Sequence, residues 1–149
     1  LPYRRGLLPR GLVRLFLDTN VLLSGLMGHG LCRDLLDRAV LEADVLIGAP
    51  VLREVDEKLR VKFRVPAALR KELRLRLGQL EQAPAVPPDA GLECPDPDDL
   101  PILACALACG ADFFVTGDKA LLAMVKVRGL PVVSPRDAWG LLNRRPSSP

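Results

Sequence analysis

Short apolar runs alternate along the chain with longer stretches in which apolar residues recur every three or four positions. Apolar runs of about four to six residues are typical of buried strands, whereas the longer spacing is typical of helices. Their alternation favours an α/β fold in which helices cover a parallel sheet. The pattern predicts four strands, at 13–17, 44–48, 113–117 and 130–134.

Helical patterns fill the intervals between these strands. The predicted helices lie near 20–26, 31–42, 51–63, 67–82, 98–109, 118–127 and 135–143. Pro66 separates the third from the fourth, because proline disfavours the α conformation in the residue before it. We therefore predict one domain, 1–149, with the architecture of a three-layer α/β/α sandwich around a central parallel sheet of four or five strands. Residues 1–12 are expected to form a basic tail and residues 144–149 a disordered one.

Composition is consistent with a globular protein that needs no disulfide or structural metal. The 149 residues are 49% hydrophobic, enough to bury about two-thirds of the unfolded surface. The four cysteines contain no C-x-x-C pair and His29 is the only histidine, so a zinc site is poorly supported. No apolar run approaches the ~20 residues of a membrane helix. We expect a soluble, cytoplasmic protein with no membrane partner.

Charge is unevenly distributed, although the net charge is only +3. Residues 1–14 carry four arginines, including Arg14, and no acid, and residues 51–82 hold nine bases against five acids. Residues 89–99 carry five acids and no base. This separation suits a metal site beside a track for a polyanion. Solvated helix faces explain the basic run equally well.

Four acids fall at comparable positions in the predicted fold. Asp18 follows the first strand, Glu54 lies in the first turns of the helix after the second, Asp99 opens an uncharged helix, and Asp118 follows the third strand. With right-handed crossovers, all four positions face the carboxyl edge of the sheet. Each acid could instead stabilise a helix N-terminus by about 0.3–1 kcal/mol. Four such coincidences on one edge favour a shared site.

Carboxylates packed together raise one another's pKa and disfavour the ionised state. A divalent cation would resolve this conflict. Oxygen ligands without histidine or thiolate suit Mg²⁺ or Mn²⁺, and such ions can activate water and stabilise an in-line phosphoryl displacement. The predicted reaction is therefore phosphodiester hydrolysis.

Four segments carry a family resemblance that extends from about Arg14 to Leu142. They are FLDTNVLLSG, APVLREVDEKL, DPDDLPILACALACGADFFVTGDKALL and GLPVVSPRDAWGLL. Together they resemble the PIN-domain ribonucleases, and most of all the VapC-like toxins of type II toxin–antitoxin modules in bacteria and archaea. The resemblance implies an RNA substrate, a Mg²⁺ or Mn²⁺ cofactor, an antitoxin protein as partner and a homodimer.

The resemblance also implies roles for individual residues. The metal-binding and catalytic acids of the family fall on Asp18, Glu54, Asp99 and Asp118. Asn20 and Thr116 match polar residues that orient these ligands or an attacking water, and Thr19 is left to cap the following helix. Asp96 and Asp98 lie close enough to compete with Asp99, which is preferred because it directly precedes the uncharged helix. At Gly48–Pro50 the family often carries a serine or threonine, so one orienting hydroxyl is missing here.

Two other functions fit part of the pattern. A haloacid-dehalogenase-like phosphatase also has an aspartate after its first strand, but usually a second aspartate two positions on, where this chain has Asn20. A catalytically silent PIN module could bind RNA or dock a partner, although inactive members typically lose one or more acids and all four are present here. No pattern predicts which residues bind the substrate, since RNA is commonly recognised by shape, loops and stacking.

Overall fold

A computed structural model of the protein describes residues 12–143, so both predicted tails lie outside it except for Leu12. The strands are β1 (Arg14–Leu17), β2 (Asp44–Gly48), β3 (Glu81–Ala83), β4 (Phe113–Val115), β5 (Lys126–Val127) and β6 (Leu130–Val133). The helices are α1 (Thr19–Met27), α2 (Leu31–Glu42), α3 (Ala49–Glu57), α4 (Ala67–Leu77), α5 (Leu100–Ala108), α6 (Lys119–Ala123) and α7 (Pro135–Asn143). A π-helical turn, Lys58–Lys62, follows α3, and a 3-10 turn, Pro97–Asp99, precedes α5.

All strands belong to one sheet with the order β3-β2-β1-β4-β6-β5. The strands β3, β2, β1, β4 and β6 are parallel to one another, and β5 runs antiparallel to its neighbour β6. This confirms the predicted α/β class and the parallel sheet of up to five strands. Among residues 12–143, no helix combines the length and apolarity that crossing a membrane requires.

Two strands were missed because the sequence gives them no apolar run. β3 is a three-residue edge strand with the sequence EQA, and the pattern placed most of it in a helix. β5 has two residues and was also assigned to a helix, whose apolar spacing continues past its true end. The turn between β5 and β6 contains Arg128 and Gly129 with φ values of 48° and 85°. Such a pair of left-handed residues is typical of a tight hairpin.

The centre of the fold is a contact between β1, β2 and α5. The rings of Phe16 and Phe114 stack on neighbouring strands with centroids 5.6 Å apart. A Cβ atom on Gly48 would lie 2.7 Å from Cζ of Phe16 and 2.9 Å from Sγ of Cys105, so no other residue fits without displacement. Residues 102–106 of α5 are buried, which confirms the uncharged helix as part of the core.

Arg14 is buried at the amino edge of the sheet, with 2% of its surface exposed. Its guanidinium forms an ion pair with Asp44 and donates to Glu81 at 2.7 and 3.1 Å, thereby joining the first residues of β1, β2 and β3. Burial raises the pKa of Asp44 and so does the nearby Glu81, while Arg14 opposes both. Grouping Arg14 with a basic track for a polyanion was therefore wrong, because its charge is used inside the fold.

Val125 lies two residues after the end of α6. Its backbone is left-handed, with φ at 66°, and 68% of its surface is exposed. A β-branched residue is strained there, whereas asparagine tolerates the conformation. We predict that Val125→Asn raises the free energy of unfolding by about 1 kcal/mol, measured by urea denaturation. Val40→Asn, at an exposed helical position, should change it by less than about 0.5 kcal/mol. Equal effects of the two substitutions would contradict strain at Val125.

Candidate active site

Asp18 lies at the carboxyl end of β1 and is 7% exposed. Its Oδ1 accepts from the backbone N–H of Thr19 at 2.8 Å, and its Oδ2 accepts from the hydroxyl of Thr116 at 2.7 Å. Burial raises the pKa of this carboxyl, the two hydrogen bonds lower it, and the negative charges of Glu54 and Asp118 raise it further. The site therefore contains a buried acid whose ionisation its neighbours oppose.

Asp18, and not Thr19, is the N-cap of α1. Thr19 is the first residue of the helix, and its buried hydroxyl has no hydrogen-bond partner among the described residues. The prediction that Thr19 caps the helix was wrong, because the backbone at Asp18 is still extended and places that carboxylate over the free N–H groups. Capping of α1 therefore uses one oxygen of Asp18, and the other oxygen accepts the hydrogen bond from Thr116.

Thr116 connects two of the predicted acids. Its buried hydroxyl donates to Asp18 and accepts the backbone N–H of Asp118 at 3.0 Å. Asp118 caps α6, since its Oδ1 accepts from the N–H groups of Ala120 and Leu121 at 2.8 and 3.3 Å. The side chain of Asp118 is exposed at the same edge of the sheet as Asp18.

Asp99 ends the 3-10 turn before α5, and its side chain forms no capping hydrogen bond. Partial burial raises its pKa to about 6, together with the negative charges of Asp18, Asp96, Asp118 and Glu54. Asp99 is therefore within electrostatic range of all three other acids that the family resemblance picks out. Burial and these negative charges both disfavour the ionised form of its carboxylate.

The other acids of 89–99 mainly stabilise the connection before α5. Asp96 caps the 3-10 turn, because its Oδ1 accepts the N–H of Asp98 at 3.0 Å. Asp89 is exposed and pairs with Arg128, whose hydrogen bonds lower the pKa of Asp89 to about 2. Residues 89–99 contain no base, so Asp89 forms its ion pair with an arginine from the β5–β6 turn.

Glu54 and Asn20 meet at Lys58, the first residue of the π-helical turn. The ammonium of Lys58 lies 3.5 Å from Oε1 of Glu54 and donates to Oδ1 of Asn20 at 3.3 Å. Asn20 thus contacts a cation rather than one of the predicted acids. Lys58 was counted only as part of a basic run, although its spacing of four residues from Glu54 on a helix was a usable signal.

The four predicted acids offer only oxygen donors, which fits a hard cation such as Mg²⁺ or Mn²⁺. Among the described residues, no three Asp, Glu, His or Cys side chains are grouped closely enough to enclose an ion. Mg²⁺ usually keeps several waters and takes only one or two carboxylates directly, so it does not require such a cage. The donor set is therefore compatible with the predicted ion.

Many proteins have a parallel α/β sheet with acids at its carboxyl edge. Comparison with known protein families identifies the one to which this chain belongs. The PIN domain family matches residues 14–120. The chain belongs to this family, whose members are generally nucleases. This decides against the haloacid-dehalogenase alternative. A search of curated protein sequences gave no match.

Three solved structures share the fold. VapBC2 from Rickettsia felis, crystallised with a DNA fragment from its promoter, is 18% identical with a TM-score of 0.60, covering 82% of this chain and 98% of its own. FitAcB from Neisseria gonorrhoeae is 23% identical with a TM-score of 0.55 and the same coverages. PAE2754 from Pyrobaculum aerophilum is 19% identical with a TM-score of 0.59, covering 90% of this chain and 93% of its own.

The raised pKa of Asp99 predicts a pH-dependent stability of the metal-free protein. Protonation of Asp99 is easier in the folded state, so this contribution is complete below the ordinary pKa of 3.8 and is lost as pH rises through about 6. In EDTA, the melting temperature should therefore fall between about pH 4 and pH 6. Asp99→Asn should flatten this decline, whereas Asp96→Asn should retain it. An undiminished decline in Asp99→Asn would contradict the assignment.

Proposed function

We propose that the protein is a Mg²⁺- or Mn²⁺-dependent endoribonuclease that hydrolyses phosphodiester bonds of RNA, and that it is the toxin of a toxin–antitoxin pair. The observation that carries the proposal is the arrangement of acids at one edge of a PIN fold. Asp99 lies within electrostatic range of Asp18, Glu54 and Asp118, and these four acids come from four separate parts of the chain. Helix capping alone gives no reason for this convergence.

The four acids would hold the ion, and the residues around them would position them. The residues that would hold the ion are Asp18, Glu54, Asp99 and Asp118. When bound, the ion supplies activated water and charge stabilisation for an in-line displacement at phosphorus. Thr116 and the N–H of Thr19 hold the two oxygens of Asp18, which restricts rotation of that carboxylate. Lys58 contacts both Glu54 and Asn20 and would restrict the movement of these two side chains.

We predict cleavage of single-stranded or loop RNA in Mg²⁺ or Mn²⁺ and its loss in EDTA. Asp99→Asn should lower kcat by at least about 100-fold, because it removes a full negative charge from a hard-cation site. The same variant should lose most of the thermal stabilisation that the ion gives to the wild type. Both quantities can be measured by gel assay and thermal melting of purified protein.

Asp96→Asn is the matched control for this experiment. Asparagine can cap the 3-10 turn as aspartate does, so activity and metal response should remain close to those of the wild type. Loss of activity in Asp96→Asn with full activity in Asp99→Asn would show that the third acid is misassigned. Cleavage that persists undiminished in EDTA would refute the metal mechanism.

An antitoxin is the partner that this function requires. VapBC2, a structural neighbour, was crystallised with DNA of its promoter, which supports an analogous two-component arrangement here. We predict that a small protein encoded beside the gene forms a stable complex and inhibits cleavage, by presenting an arginine or lysine to the acidic edge. Co-expression with each neighbouring small reading frame tests this, and failure of all of them to form a complex would count against the toxin role.

The proposal also includes a cytoplasmic homodimer, on the family resemblance. Light scattering at micromolar concentration should then give twice the chain mass of 16.2 kDa. The second candidate function, a non-catalytic PIN module, is favoured by the absence of an enclosing three-acid group among residues 12–143. No thermal response to Mg²⁺ or Mn²⁺ in the wild type would favour that module over the nuclease.

A further inference from the structure

The segment Arg60–Arg64, with the sequence RVKFR, is exposed at all five positions. It contains three cations, and its two apolar residues, Val61 and Phe63, have 57% and 43% of their surface exposed. We propose that this segment, the basic turn, binds the sugar–phosphate backbone of single-stranded RNA and stacks one base on Phe63. The identity of the ligand rests on the proposed function, whereas the surface itself is a property of the structure.

The cations of the basic turn are available to an external anion. Among residues 12–143, no carboxylate forms an ion pair with Arg60, Lys62 or Arg64. Arg74, on the adjacent helix α4, by contrast pairs with Asp56 at 2.6 Å. Three neighbouring cations that form no ion pair with a described carboxylate give the turn a positive potential, which attracts phosphate groups.

Phe63 differs from the other aromatic residues that the structure describes. Phe16 and Phe114 stack in the core, and Trp139 lies beneath the guanidinium of Arg38 at 4.8 Å. Phe63 is 43% exposed, and the ammonium of Lys62 lies 5.4 Å from the centroid of its ring. An isolated exposed ring among cations is suited to an unstacked base, because every base offers a π-face and its phosphate lies nearby.

The basic turn begins two residues after Lys58, which contacts both Glu54 and Asn20. RNA held along the turn would therefore lead towards the acids. Its cations also explain how a polyanion could approach a group of carboxylates that would otherwise repel it.

The turn is held in place by the chain on either side. The N–H of Phe63 donates to the carbonyl of Lys58 at 2.9 Å, and the N–H of Val65 donates to that of Leu59 at 2.8 Å. Leu59 and Val65 are both buried and anchor the two ends of the segment. A preformed turn loses little conformational entropy on binding, which favours affinity.

The test measures binding of a fluorescent single-stranded RNA of about 12 nucleotides in EDTA, where no metal-dependent cleavage occurs. Arg60→Gln/Lys62→Gln should bind at least about tenfold more weakly than the wild type. The slope of log affinity against log salt should fall by about 1.4, since each phosphate contact in a single strand contributes about 0.7. Arg76→Gln/Lys126→Gln removes the same charge from exposed positions outside the turn and should change affinity by less than about twofold.

Phe63→Leu tests stacking separately from charge. It should weaken binding of the normal RNA about tenfold. It should leave unchanged the affinity for an RNA of the same length with abasic sites, because that probe has no base to stack. Thermal melts of all variants in the same buffer establish that they are folded.

Wild-type affinity in Arg60→Gln/Lys62→Gln, or no RNA binding by the wild type, overturns the proposal. Retained RNA affinity with loss of a protein partner assigns the turn to a protein interface and also overturns it. The nuclease proposal is tested independently, because binding is measured without metal. RNA that binds through the turn but is never cleaved refutes only the nuclease, and cleavage by the double variant with unchanged KM refutes only the turn.

Discussion

Burial of Asp18 among other carboxylates is the constraint on which the rest of the site depends. The parallel pairing of β1 with β4 brings Asp18 beside Thr116, and the hydroxyl of Thr116 stabilises one of its oxygens. The N-terminus of α1 stabilises the other. These neutral donors lower the pKa of Asp18 and so offset part of the rise that burial causes, without adding a positive charge. The site therefore still lacks a cation beside its buried acid.

Acidic side chains have different partners at the two ends of β1. At the amino end, Arg14 compensates Asp44 and Glu81 within the fold, so the charges there stabilise strand alignment. At the carboxyl end, Lys58 meets Glu54, but neither Asp18 nor Asp99 receives an ion pair among the described residues. A buried charge network is thus used for architecture at one edge, while the other edge is left able to attract a cation.

Apolar periodicity and the topology rules for parallel sheets predicted the strands and helices whose burial follows from their own sequence. The four predicted strands and the uncharged α5 have distinctive apolar patterns, and parallel topology then places Asp18 and Asp99 at one edge. Local patterns fail where tertiary contacts decide. β3 is a strand only because β2 offers it a partner, Arg14 is buried only because acids from other strands surround it, and the approach of Lys58 to Asn20 joins residues 38 positions apart.

Gly48 has a consequence for how this site can evolve. The family resemblance implies a hydroxyl residue within the stretch Gly48–Pro50, and this chain has none there. The space beside position 48 is already taken by the ring of Phe16 and the sulfur of Cys105. A serine at this position would require both of those side chains to move or to become smaller. The three residues therefore form an epistatic set, and the order in which they mutate determines which variants of the site selection can reach.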